Sequence, residues 1–88
     1  MTEKCIKRNK HLKIYECKNY KGKIHYDIYR TDTKHLQYGD YPLQLGSLYK
    51  TKEGKWIFFG IGRNCQGCSL NFDQLSIIHD FMKSLEAK

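Results

Sequence analysis

The sequence predicts an α+β domain: a four-stranded antiparallel β-sheet built from two hairpins, with one C-terminal amphipathic helix. Three observations carry that prediction. Apolar residues alternate at period two on either side of a glycine turn, Asn19-Tyr20-Lys21-Gly22. A second pair of runs rich in aromatic and β-branched residues flanks Lys52-Glu53-Gly54. Beyond Asn71 the apolar spacing changes to three and four residues. With 88 residues there is material for one core, so residues 11–88 are read as a single domain.

Taken in order, residues 1–10 lack apolar periodicity and are dense in Lys4, Lys7, Arg8 and Lys10. That is the pattern of a flexible basic arm or a frayed first strand. Leu12, Ile14 and Glu16 alternate with Lys13, Tyr15 and Cys17 to give the first hairpin arm, and in the return arm Ile24, Tyr26 and Ile28 face away from His25, Asp27 and Tyr29. Residues 31–46 hold Asp32, Gly39, Asp40 and the lone Pro42, and are read as an ordered loop with room for a short edge strand. The second hairpin runs from SLYKT to KWIFFGIG. In the helix, Asn71 and Gln74 have the spacing of a capping box and Asp73 suits the positive end of the dipole. Leu75, Ile78, Met82 and Leu85 form its stripe, and Ile77 and Phe81 widen it enough to suggest a homodimer interface.

Composition narrows the function. Sixteen Lys and Arg against nine Asp and Glu leave a net charge of +7, which suits a polyanionic partner. No long apolar run is present, so no membrane partner is expected. The N-terminal residues lack a signal-peptide pattern, which points to an intracellular protein, in cytoplasm or nucleus. There Cys5, Cys17, Cys65 and Cys68 read as thiols rather than disulfides, and no cofactor is expected. A zinc ion held by Cys65 and Cys68, completed by Cys5, Cys17 or His11, is the competing reading of the C-x-x-C pair. His11, His25, His35 and His79 fall on separate elements, and no triad, carboxylate pair or phosphate cradle has catalytic spacing, so an enzyme is not expected. His25 and Asp27 share a strand face as a polar stripe.

Two segments carry a resemblance. YKGKIHYDIYR, residues 20–30, resembles the F-K-G-K-V-x-x-D-I-R hairpin of the positive-cofactor-four transcriptional coactivators, and GCSLNFDQLSII, residues 67–78, resembles that family's G-I-S-L-x-x-E-Q-W entry into its last helix. The resemblance implies a curved antiparallel sheet, dimerisation through helices and binding of single-stranded DNA, with Tyr20, Lys21 and Lys23 at the family's turn positions. Tyr29 stands where the family has arginine, and the loop at Arg63 to Gln66 contains one cation where the family is lysine-rich. Residues 31–56 are longer than the family's middle segment.

The residues by themselves also make a binding surface. Tyr20, Tyr29, Tyr49, Trp56 and Phe58 offer stacking faces, and Lys13, Lys18, Lys21, Lys23, Lys55 and Arg63 offer phosphate contacts. The bland alternative puts Trp56 and Phe58 in the core under the helix. The expected function is therefore non-sequence-specific nucleic-acid binding, to single-stranded DNA or RNA, with a role in transcription or replication. The alternative is a small protein-binding regulator or inhibitor of a nucleic-acid-processing complex, which would use the tyrosine-rich segment from Tyr38 to Tyr49.

Overall fold

A computed structural model describes residues 2–31, 44–60 and 70–87. Five strands in sequence order form one antiparallel sheet: β1 (Thr2–Arg8), β2 (Leu12–Lys18), β3 (Ile24–Arg30), β4 (Gln44–Lys50) and β5 (Trp56–Phe59). One helix, α1 (Phe72–Glu86), follows. The class is α+β as expected, with five strands where four were expected. The additional strand is β1, which pairs along β2 from Thr2 opposite Lys18 to Arg8 opposite Lys13. All seven of its residues are exposed, so no apolar alternation marked it. Its Lys4 and Lys7 suit an edge that must not recruit other strands.

The second difference lies at β4, which begins at Gln44, within the stretch read as loop. Ile28 pairs with Gly46 and Tyr29 with Gln44, so Leu45 is the extra residue of a bulge. That bulge lets Leu45 join the core at 1% exposure and breaks the alternation a reader of the sequence looks for. Gly46 is required by packing: a Cβ there would collide with the Phe59 carbonyl oxygen and sit 2.8 Å from the Phe58 ring.

The core lies between the helix and one sheet face. Leu12, Ile14, Tyr26, Ile28, Leu45 and Leu48 meet Ile78 and Leu85, with Trp56, Phe58, Leu70, Ile77, Phe81 and Met82 packed around them. The Tyr26 ring meets Phe81 in a T-shaped contact at 5.0 Å and Trp56 in a tilted one at 5.3 Å. Asn71 caps the helix as predicted, its Oδ1 accepting from Gln74 N at 2.8 Å while Gln74 Oε1 accepts from Asn71 N at 3.0 Å. Gln74 is fully buried, and its Nε2 donates to the His11 carbonyl at 3.0 Å, tying the helix start to β2. Leu75, expected on the sheet-facing stripe, is 48% exposed instead. The buried face runs through Gln74, Ile78 and Leu85, rotated from the stripe drawn through apolar residues alone.

Candidate nucleic-acid interface

The turns β2–β3 and β4–β5 come to the same end of the sheet, because β3 and β4 are adjacent and antiparallel. The two turns are built alike. In the first, Gly22 takes φ 81°, its N–H donates to Asn19 O at 2.9 Å, and Asn19 Oδ1 accepts from the N–H groups of Lys21 and Lys23, both at 2.9 Å. In the second, Gly54 takes φ 84°, its N–H donates to Thr51 O at 3.0 Å, and Thr51 Oγ1 accepts from Lys55 N at 3.2 Å. Glycine supplies the left-handed backbone that other residues resist. Lys18, Lys21, Lys23, Lys50, Lys52 and Lys55 are all exposed along this rim. A cleft of about 420 Å³ opens between the turns, with Trp56 in its wall beside Lys23, Lys50 and Lys52. A smaller hollow of about 130 Å³ lies beside it, against His25 and Tyr49.

Strand register defines the sheet's outer face, opposite the core. Lys13 pairs with Tyr29, Tyr15 with Asp27 and Cys17 with His25, while Asp27 pairs with Ser47, and Ser47 and Tyr49 pair with Phe59 and Ile57. Rings dominate this face. His25 stacks on Tyr49 at 5.2 Å and 14°, while Tyr49 with Phe59 at 5.7 Å and Tyr15 with Tyr29 at 5.6 Å are T-shaped pairs. Lys13 Nζ lies 5.6 Å from the Tyr15 ring and 6.0 Å from the Tyr29 ring, within cation–π range.

At the centre of the face Asp27 gathers polar partners. Ser47 Oγ donates to its Oδ1 at 2.7 Å, Gln44 Nε2 donates to Ser47 Oγ at 3.0 Å, and the Cys17 thiol donates to Oδ2 at 3.5 Å. Burial, together with the Asp27 charge and hydrogen bond, pushes the Cys17 thiol up to about 12. Burial, helped by the Glu16 charge, raises the Tyr26 hydroxyl as well.

Of the residues singled out in the sequence, Lys18, Tyr20, Lys21, Lys23 and Lys55 lie on the lysine rim, with Tyr20 projecting at 88% exposure. Lys13 and Tyr29 lie on the outer face, toward the other end of the strands. Trp56 is shared between core and cleft, whereas Phe58 packs on the core. Ile77 and Phe81 pack within the chain against the same core, and the more exposed apolar residues of the helix are Phe72 and Leu75. Arg63, Cys65 and Cys68 lie outside the described residues. Sequence reasoning missed Lys50 and Lys52, although their places beside the second glycine turn, mirroring Lys18 and Tyr20 at the first, were visible as a signal. No helix among the described residues is long and apolar enough to cross a membrane. In comparisons with family models, curated proteins and solved structures, nothing matches the chain.

Proposed function

We propose that this chain binds single-stranded nucleic acid without reading its sequence, the backbone following the lysine rim and bases stacking on the neighbouring rings. One observation carries the reading: six exposed lysines on two adjoining turns, with Trp56 to one side and the His25–Tyr49 stack to the other. Lysine ammonium groups act as mobile point charges for phosphates, and every base has a π-face for stacking, so the combination tolerates sequence. Base faces are free to stack only where the strand is unpaired, which favours single strands over duplex. The resemblance to the positive-cofactor-four hairpin at Tyr20 to Arg30 supports DNA as the polymer and transcription or replication as the setting.

Replacing both Lys21 and Lys23 with glutamate is expected to cost at least ~2 kcal/mol of oligonucleotide affinity and to flatten the salt dependence by about two counterions. The Tyr49→Ala variant is expected to lose roughly 1–3 kcal/mol with its salt slope unchanged, because stacking releases no counterions. Fluorescence anisotropy with a labelled single-stranded oligonucleotide reads both. Unchanged affinity in the double-glutamate variant, with its circular dichroism intact, overturns the reading. A protein-binding regulator is the second reading, favoured by the joint exposure of Tyr49, Ile57 and Phe59 on the outer face of β4 and β5.

A further inference from the structure

We propose that Cys17, His25 and Asp27 form a binding site for a zinc-class divalent cation on the outer face of the sheet. The first hairpin assembles it. Its register sets Cys17 opposite His25, and Asp27 follows two residues along the same face, so three different ligand types converge from two strands. Their ligand atoms all lie within 4.8 Å of one another. Cys17 Sγ is 3.5 Å from Asp27 Oδ2, and His25 Nε2 is 3.5 Å from Asp27 Oδ1. A four-coordinate ion with bonds of about 2.0–2.3 Å sets its ligands roughly 3.3–3.8 Å apart; Cys17 Sγ and Asp27 Oδ2 already stand at that separation, and the His25 nitrogen, 3.5 Å from the other carboxylate oxygen, needs only a small approach to share the ion. As a charge-assisted hydrogen bond, the His25–Asp27 contact is long, since such bonds run at about 2.7–2.9 Å.

The surroundings hold the ligands in place. Ser47 Oγ donates to Asp27 Oδ1 at 2.7 Å and is itself held by Gln44 Nε2, which leaves Oδ2 facing the sulfur. Stacking on Tyr49 fixes the His25 ring plane. Such outer contacts are the usual support of metal ligands. Cys17 is buried, while the His25 and Asp27 side chains keep 28% and 19% exposure, so an ion can enter from solvent and one coordination position remains for water. A thiolate, an imidazole and a carboxylate suit zinc or cobalt and disfavour magnesium or calcium, which prefer oxygen. On binding, the Cys17 thiol proton passes to solvent, the sulfur bonds to the ion, and His25 binds as neutral imidazole.

The test is a titration of chelator-treated protein with cobalt(II), followed by zinc. About one cobalt per chain is expected, with a near-ultraviolet thiolate-to-metal band and visible bands of a four-coordinate ion, all displaced by zinc. The Cys17→Ser variant should lose the near-ultraviolet band, and His25→Ala should bind at least tenfold more weakly. The Cys65→Ser/Cys68→Ser double variant should keep the full spectrum. Zinc should also shield Cys17 from alkylation in the unmutated chain, read by peptide mass spectrometry, an outcome that needs no variant to fold. A wild-type chain with no thiolate band overturns the proposal, as does a band that survives Cys17→Ser or disappears in the Cys65/Cys68 double variant.

Discussion

At the residue scale, Cys17 gives a sharp stability prediction for the metal-free protein. In the unfolded chain a thiol gives up its proton near pH 9, whereas in the folded chain Cys17 keeps it up to about 12. The contribution is complete below the unfolded value and is lost as pH rises through that interval, since the unfolded state then binds fewer protons. Each such group lowers stability by at most about 1.4 kcal/mol per pH unit, and Tyr26 acts in the same direction. Urea unfolding at neutral pH and near pH 10.5 should show this loss, with a shallower slope in Cys17→Ser. The shared face of His25 and Asp27 was legible in the sequence, because alternation alone determines it. Cys17 as their partner was not, because that depends on the number of residues the Asn19 turn consumes and hence on register.

At the element scale, the hairpins and the helix were legible because their signals are local: glycine turns, period-two alternation and a capping box. The helix stripe was misread by one position, since a buried glutamine scores as polar although Gln74 satisfies its amide on His11 O and Asn71 N. A paired prediction follows at this scale. Asn71→Ala should cost about 1 kcal/mol through the lost cap. Gln74→Ala should cost more, about 1–3 kcal/mol, because it empties a fully buried position and takes the donor from the His11 carbonyl as well as the acceptor from Asn71 N. Thermal or urea unfolding of the two variants checks the order. The strand β1 and the start of β4 were illegible for opposite reasons. The first is exposed on both faces, and the second has its alternation interrupted by the Leu45 bulge. Ile77 and Phe81, which widen the helix stripe and suggested a second copy, are partly buried against the core within the chain.

At the scale of the whole molecule, a net charge of +7 is an average, and its arrangement makes the functional argument. The excess charge was legible in composition, and four of the six rim lysines were singled out from the sequence. What composition could not supply is that two turns well separated in the chain, at Gly22 and Gly54, lie side by side, since that follows from the β3–β4 pairing across residues 32–43. The proposed electrostatic and stacking surface for unpaired strands is put to the test by titrating wild-type protein into labelled single-stranded and double-stranded oligonucleotides of one sequence at two salt concentrations. Single-strand binding should be the tighter at both, and should weaken steeply between about 50 and 200 mM salt, as expected when several phosphates are neutralised. Equal affinity for the two forms, or single-strand binding that hardly responds to salt, would contradict the account.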